Sequence, residues 1–272
     1  MLRQRVITAL LLAPLAIAII LLLPTPWFAA VAAAVFVAAQ EEWTRLAGVQ
    51  KPTVRFALLV LAAALFAVLW SMHSGLATPL LLALGAAWWL LACLWLRHFA
   101  FGAAPTPENR TIKLAAGALV TFPAWIALLA LHGREPHGPW WMLLALVIVW
   151  AADIGAYFSG RTFGGRKLAP QISPGKTWAG AYGAMLAGVL VALAGGWLLG
   201  VRVASLPGLG VLAALTVAIS IVGDLLESLM KRHAGMKDSG TIFPGHGGLL
   251  DRLDSVFAAL PVFALGLRLL GL

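Results

Sequence analysis

Residues 208–230, GLGVLAALTVAISIVGDLLESLM, form an apolar run long enough to cross a lipid bilayer as one helix. The run carries Asp224, Glu227 and Ser228 near its end, and Lys231 follows just outside it. Because these four residues are spaced at i, i+3, i+4 and i+7, we expect them on one helical face. Acidic side chains within a membrane span usually face a polar cavity. The stretch therefore predicts a membrane helix with a site at its end, or else a set of ion pairs at the membrane boundary.

The composition extends this prediction to the whole chain. Of the 272 residues, 62% are hydrophobic and 11% are charged, which is far from a soluble domain. The sequence predicts nine candidate spans, at 6–23, 27–47, 56–72, 76–96, 112–131, 139–160, 177–200, 208–230 and 254–271. We therefore expect an all-α, polytopic integral membrane protein with about nine transmembrane helices. The first run follows Arg3 and Arg5, and we interpret it as a retained helix, with a cleaved signal peptide as the alternative.

The distribution of basic residues predicts the orientation. The formal net charge is +9, but the Lys and Arg residues are spread over short loops rather than gathered as in a nucleic-acid site. With a cytoplasmic N-terminus, all but three of the 19 Lys and Arg lie inside; the exceptions are Arg134, Arg202 and Arg268. This indicates an inner or endomembrane protein that contacts anionic lipids and binds no nucleic acid, and we expect the bacterial cell inner membrane as its location.

The polar residues are unevenly divided along the chain. Residues 1–131 are mostly Ala, Leu and Val, whereas polar motifs crowd into 150–255. We therefore expect an N-terminal helical scaffold over 1–131 and a C-terminal catalytic region over 132–272. The distribution of Lys and Arg places the segment 228–254 in the cytoplasm.

Residues 228–254, SLMKRHAGMKDSGTIFPGHGGLLDRLD, combine carboxylates, cations and glycines. Asp251 and Asp254 begin the final helix at i, i+3 spacing and so share a face. Carboxylate oxygens, with substrate phosphates, are the usual ligands of magnesium. The glycines would let backbone amides approach a phosphate closely. His246 could donate to a phosphate or move a proton, or could only cap the backbone of its loop.

A second polar cluster, residues 150–180, has the sequence WAADIGAYFSGRTFGGRKLAPQISPGKTWAG. Asp153, Tyr157 and Gly160 share one face of a helix that ends at Arg161, ahead of a basic glycine-rich loop. Further on, three residues at the start of the next helix suit an anion site: Ser173, Lys176 and Thr177. A positively charged cytoplasmic loop without a ligand is the alternative.

Two adjacent acids, Glu41 and Glu42, stand near the end of the second span. They could form an interfacial cap paired with Arg45, or they could take part in function.

The C-terminal motif resembles that of phosphatidate cytidylyltransferases, also called CDP-diacylglycerol synthases. The family pattern is Ser-x-x-Lys-Arg, Lys-Asp, Pro-Gly-His-Gly-Gly and Asp-Arg-x-Asp, and it is met by Ser228, Lys231, Arg232, Lys237, Asp238, Pro244, Gly245, His246, Gly247, Gly248, Asp251, Arg252 and Asp254. Residues 153–161 and 172–177 are similar to a second block of the family. One departure is Ala179, where relatives commonly carry Glu or Gln.

The resemblance implies a polytopic helical fold with a cytoplasm-facing polar cavity that is open to the lipid, and it implies a reaction and its cofactors. CTP and phosphatidic acid would give CDP-diacylglycerol and pyrophosphate, with Mg²⁺ required and a second, monovalent cation such as K⁺ beside it. The phosphate of phosphatidic acid would attack the α-phosphorus of CTP in line, so positioning and charge neutralisation would supply most of the acceleration. A homodimer is compatible with such a scaffold.

From these patterns and the resemblance we assign roles residue by residue. The expected catalytic residues are Asp224, Asp251, Lys231, Arg232 and His246. The expected metal ligands are Asp224, Asp251, Asp254 and Asp153. The expected substrate-binding residues are Ser173, Lys176, Thr177, Arg161, Lys167, Ser228, Lys237, Asp238, Gly247, Gly248 and Arg252.

Three other functions remain as alternatives. A transferase that consumes CDP-diacylglycerol would carry Asp-x-x-Asp-Gly-x-x-Ala-Arg, but Ser255 follows Asp254 here. A CTP-dependent polyprenol kinase would transfer the γ-phosphate and release CDP. A transporter could use Asp153 and Asp224 as ion sites within the membrane.

Overall fold

A computed structural model describes residues 2–73, 75–242 and 247–272, with the backbone alone for residues 2–10. Its helices and strands, in chain order, are α1 Leu2–Leu22, α2 Thr25–Leu46, α3 Pro52–Met72, α4 Ala77–Arg97, α5 Pro107–His132, α6 Gly138–Phe163, β1 Lys167–Ala169, β2 Ser173–Thr177, α7 Trp178–Leu198, α8 Leu206–His233 and α9 Leu250–Leu269. A 3₁₀ turn at Val203–Ser205 precedes α8.

Each of the nine predicted spans overlaps one of these helices, because a long apolar run buries its backbone polar groups best as a helix. Proline lies in the first turn of α2, α3, α5, α6 and α8, where its missing N–H costs nothing. Within the described residues, six helices are long and apolar enough to cross a membrane, namely α3 to α8. The chain is thus a multi-pass membrane protein, and the count of nine spans stays a prediction.

Helix α9 lies at the centre of the bundle. It packs against α4, α5 and α8, and Phe257 and Phe263 on it are fully buried. Charged residues in its first turns, Asp251, Arg252 and Asp254, set its composition apart from that of a lipid-facing span. Because α9 is enclosed by protein, these charged side chains can pair with other side chains and need not face lipid.

A two-stranded antiparallel sheet departs from the all-α prediction. Strand β1 pairs with β2, with Lys167 opposite Thr177 and Ala169 opposite Ser173, and an irregularity lies between the two pairs. The hairpin forms in the basic loop between α6 and α7. Its strands are short and carry glycine, proline and lysine, so they lack the alternating pattern that predicts a strand.

Contacts between loops sort the helix ends into two groups. At one end, Arg232 Nε donates to the carbonyl of Ile172 at 3.3 Å, and a nitrogen of His233 lies 2.7 Å from the carbonyl oxygen of Phe99. At the other end, His132 contacts both Thr25 and the carbonyl of Ile20. The loops after α4, α6 and α8 therefore meet at one end of the bundle, and the orientation of that end in the membrane stays a prediction.

Candidate functional site

A cavity of about 450 Å³ opens between α6, α7, α8 and the hairpin. Its polar and charged lining residues are Asp153, Tyr157, Arg161, Lys176, Thr177, Ser220, Asp224 and Ser255. A larger groove of about 830 Å³ has an almost wholly apolar lining that includes Trp88 and Phe101. The smaller cavity is the candidate site, because a binding site needs polar groups that converge on a concave surface.

Close packing of α6 against α7 shapes one wall of this cavity. A Cβ atom at Gly155 would collide with the carbonyl of Gly183, and a Cβ atom at Gly183 would collide with the carbonyl of Gly155. The two backbones therefore approach more closely than larger side chains would allow. Asp153 on α6 and Lys176, two residues before α7, both line the cavity beside this packed pair of helices.

The hairpin supplies Lys176 and the cap of α7. Thr177 is buried, and its hydroxyl accepts a hydrogen bond from the amide of Gly180 at 3.1 Å as the N-cap of α7. Ser173 begins β2, roughly 13 Å along an extended strand from Thr177. Lys176 and Thr177 line the cavity, whereas Ser173 is not among its lining residues; the roles of all three towards substrate stay predictions.

Asp224 is a centre of polar contacts in the cavity. Its Oδ2 forms an ion pair with Lys176, and its Oδ1 accepts from the hydroxyl of Ser228 at 3.3 Å. The charge of Asp224 also interacts with those of Asp153 and Asp254. Three carboxylates from α6, α8 and α9 therefore gather around one lysine, which leaves the cluster with an excess of negative charge.

A second cluster lies one helical turn further along α8. Lys231 Nζ lies 2.5 Å from Glu227 Oε2 and donates to Asp251 Oδ1 at 2.6 Å. All three side chains are at most 13% exposed. The helical spacing correctly predicts that Glu227 and Lys231 are neighbours. It does not predict the link to Asp251, which joins α8 to the start of α9.

The second oxygen of Asp251 is also occupied. Asp251 Oδ2 accepts hydrogen bonds from the amide and hydroxyl of Ser239, both at 2.9 Å, and from the amide of Gly248 at 2.8 Å. Burial raises the pKa of Asp251, but the hydrogen bond from Lys231 and those from the loop lower it to about 2. Asp251 is therefore ionised at neutral pH, and the amide of Gly248 is turned towards it.

The sequence left the role of Glu42 undecided. In the structure this residue lies in the second cluster. It is 1% exposed, and its carboxylate accepts from the amides of Leu249 and Leu250 at the N-terminus of α9, at 3.0 and 2.8 Å. Its neighbour Glu41 faces the surface instead and pairs with Arg45 and Arg55. The position of Glu42, three residues after buried Ala39 and four before buried Leu46, was the available signal.

The remaining predicted residues lie around these clusters. Arg161 donates to Tyr157 Oη at 2.9 Å at the rim of the cavity, and Arg232 is exposed and anchors the hairpin. Three others are exposed, namely Lys167, Lys237 and Asp238.

Arg252 interacts with Asp153 electrostatically. Gly247 has a φ of 81°, which favours glycine. The predicted role of His246 falls outside the described residues.

Comparison with known proteins decides the family. A sequence model of the cytidylyltransferase family matches residues 3–270. The chain belongs to this family. A phosphatidate cytidylyltransferase of Pseudomonas aeruginosa is 43% identical over 97% of this chain and 96% of its own length. Its counterpart in Haemophilus influenzae is 37% identical over 97% and 98%, and that of Mycobacterium bovis is 32% identical over 94% and 84%.

The resemblance also implies a divalent ion, and the donor chemistry of the cavity of this cytidylyltransferase fits one. Asp153, Asp224 and Asp254 offer hard oxygen donors with excess negative charge, as magnesium requires. As the side chains stand, no group of three or more His, Cys, Asp or Glu among the described residues is arranged around one ion position. A cation there would therefore compete with Lys176 for Asp224.

Proposed function

We propose that this chain is a phosphatidate cytidylyltransferase, which transfers the cytidylyl group of CTP to phosphatidic acid. The products are CDP-diacylglycerol and pyrophosphate, which places the enzyme in phospholipid biosynthesis. The family match and the two relatives aligned over nearly the whole chain support this activity. The structural observation that most directly supports the proposed activity is a cluster of charged residues in a cavity among apolar helices, namely Asp224, Lys176 and Asp153.

The chemistry follows from these charges. A phosphate oxygen of phosphatidic acid attacks the α-phosphorus of CTP, a new P–O bond forms, and the bond from that phosphorus to the bridging oxygen of the β-phosphate breaks. The nucleophile is already an anion at neutral pH, so no strong general base is needed. Lys176 and Arg161 at the cavity, with the neighbouring Arg252, neutralise the substrates' charges.

We further propose that Asp224, Asp254 and Asp153 hold Mg²⁺. When bound, the ion would neutralise the triphosphate and the developing charge on pyrophosphate. Asp251 would join these ligands only by giving up a hydrogen bond from Lys231, Ser239 or Gly248. The monovalent cation implied by the resemblance would find the same kind of oxygen donors here.

The catalytic roles of the second cluster are also part of the proposal. Lys231 and Arg232 would carry positive charge towards the triphosphate from the end of α8. Lys237 and His246, which follow in the sequence, would act on the substrates as well. Asp238, Gly247, Gly248, Lys167, Ser173, Thr177 and Ser228 would line the path of the substrates. The region 132–272 would thus contain the reacting groups, with 1–131 as the scaffold.

We propose that the N-terminus and this site face the cytoplasm and that the protein resides in the bacterial cell inner membrane. The excess of Lys and Arg in the loops around the site supports this orientation, and cytoplasmic CTP requires it. A homodimer remains compatible with the proposal.

The proposal is tested with purified protein, phosphatidic acid and labelled CTP in mixed micelles. Wild-type protein and a Glu108→Gln control, altered at an exposed acid on α5, should form CDP-lipid at similar rates. Asp224→Asn should be at least ~100-fold slower, since it removes a charge that acts at the reacting phosphates. Absence of CDP-lipid with folded wild-type protein would refute the activity, and equal rates for all three proteins would remove Asp224 from the site.

A further inference from the structure

Glu42 reaches from the end of α2 into the start of α9, more than 200 residues further along the chain. Its two oxygens accept from the consecutive amides of Leu249 and Leu250, which lack partners within their own helix. A carboxylate at this end also meets the positive end of the helix dipole. Glu42 therefore acts as an N-cap for α9 that is supplied by a distant helix.

Ser239 connects this cap to Asp251. Its hydroxyl lies 2.8 Å from Glu42 Oε2 and 2.9 Å from Asp251 Oδ2, and its amide also donates to Asp251. Ser239 is fully buried. The chain of contacts thus runs from Glu42 through Ser239 to Asp251 and on to Lys231.

Two glycines of the motif are explained by the same carboxylate. A Cβ atom at Gly240 or at Gly248 would collide with the carboxylate of Glu42. The sequence alone suggested that the motif glycines leave room for a phosphate. At these two positions the absent side chain instead leaves room for Glu42.

The energetics favour a fixed arrangement. A carboxylate that is 1% exposed is costly unless hydrogen bonds compensate it. Glu42 accepts from the amides of Leu249 and Leu250, and it shares the single hydroxyl proton of Ser239 with Asp251. An amide side chain at this position has only one acceptor oxygen. Its NH₂ group would face the amide of Leu249 or Leu250, so at least one of the two would lose its acceptor.

From this geometry we infer that Glu42 is a positioning residue. With Ser239 as the bridge, it holds residues 239–240 and 247–251 so that Asp251 keeps Lys231 in place beside the candidate site. This inference rests on the proposed cytidylyltransferase activity. It assigns to the N-terminal half of the chain a direct part in organising the C-terminal motif.

The test compares Glu42→Gln with Glu41→Gln, the same change on the adjacent residue, which only makes surface ion pairs. Hydrogen exchange is followed in peptides covering 247–251, and CDP-diacylglycerol formation is measured as a function of CTP. We expect Glu42→Gln to speed exchange in these peptides at least tenfold without a matching rise in α6 and α7. We expect kcat to fall by about tenfold or more, with KM for CTP changed less than threefold. Glu41→Gln should match wild type in all measurements.

Ser239→Ala supplies a second variant in case Glu42→Gln fails to fold. It keeps the caps on Leu249 and Leu250 but removes the bridge, so kcat should fall while these amides stay protected. If both variants fold, the double variant should be no slower than about the slower single variant, because both break one chain of contacts.

Unchanged kcat per folded molecule in Glu42→Gln, or in Ser239→Ala where the first variant does not fold, would overturn the inference. So would a rise in exchange spread evenly over the whole protein, since that indicates general loss of stability. Failure of the underlying activity has a different signature: wild type and Glu41→Gln would then also form no CDP-diacylglycerol.

Discussion

Lys231 offers a quantitative test of the second cluster. Its ammonium group lies 2.5 Å from Glu227 Oε2 and 2.6 Å from Asp251 Oδ1. The side chains of Glu227, Asp251 and Lys231 are only 2%, 9% and 13% exposed, so solvent screens them little. Lys231→Met keeps much of the side-chain volume but leaves two carboxylates facing each other without their shared cation.

Removing one partner of a buried ion pair costs about 3–5 kcal/mol, since the remaining charge is left unpaired. We therefore expect Lys231→Met to lower the free energy of unfolding by about that amount. The measurement is equilibrium unfolding in mixed micelles, followed by circular dichroism. The control is Arg45→Met, which breaks the half-exposed pair with Glu41 and should cost only about 0–1 kcal/mol.

A second substitution separates the contribution of charge to the free energy of unfolding from the contribution of packing. Adding Glu227→Gln to Lys231→Met removes one of the two unpaired carboxylates, so the double variant should be less destabilised than the sum of the two single variants. A coupling of about 0.5–3 kcal/mol is expected for residues in one network. A Lys231→Met protein as stable as the Arg45→Met control would refute the view that this lysine holds α8 and α9 together.

Three further predictions concern the packing, the cation and the lysine of the cavity. Gly155→Leu should destabilise the protein by several kcal/mol in the same unfolding assay, because the leucine side chain would collide with the carbonyl of Gly183. The control Gly175→Ala should not destabilise it, because a Cβ atom at Gly175 would lie in open space. EDTA should abolish turnover and Mg²⁺ should restore it; full activity in excess chelator would exclude the proposed metal. Lys176→Met should slow CDP-lipid formation at least ~100-fold, and a rate equal to wild type would place Lys176 outside the site.

The helices were predictable because each is an apolar run close to the length of a bilayer span. The sequence 208–230 became α8 with Asp224, Ser228 and Lys231 on the predicted face. Apolar runs do not reveal which helix will be enclosed by the others. The central place of α9 is set by packing against α4, α5 and α8, which no local pattern encodes.

The site was predictable in its residue types and less so in its pairings. Asp224, Lys176 and Asp153 meet in one cavity as the two sequence blocks suggested. Lys231 and Asp251 were expected to face substrate and metal, and in the structure they contact each other. Such pairings depend on distances between helices rather than on spacing within one helix.

Glu42 illustrates the limit most clearly. Its partners Ser239, Leu249 and Leu250 lie about 200 residues away along the chain. The spacing of residues along α2 could therefore indicate that Glu42 is buried, but not which residues it contacts. The hairpin was missed for a different reason. Strands of three and five residues containing Pro174 and Gly175 carry no periodicity, and tertiary contacts such as that between Arg232 and Ile172 help to hold them.

In the proposed reaction the cytidylyl group of CTP, and not its terminal phosphate, is transferred to the lipid. The direct measurement uses purified protein with phosphatidic acid and two parallel samples of CTP, one labelled at the α-phosphorus and one at the γ-phosphorus. The α label should appear in CDP-diacylglycerol and the γ label in pyrophosphate. Transfer of the γ label to lipid, or no lipid label from either sample with folded protein, would contradict the proposed reaction.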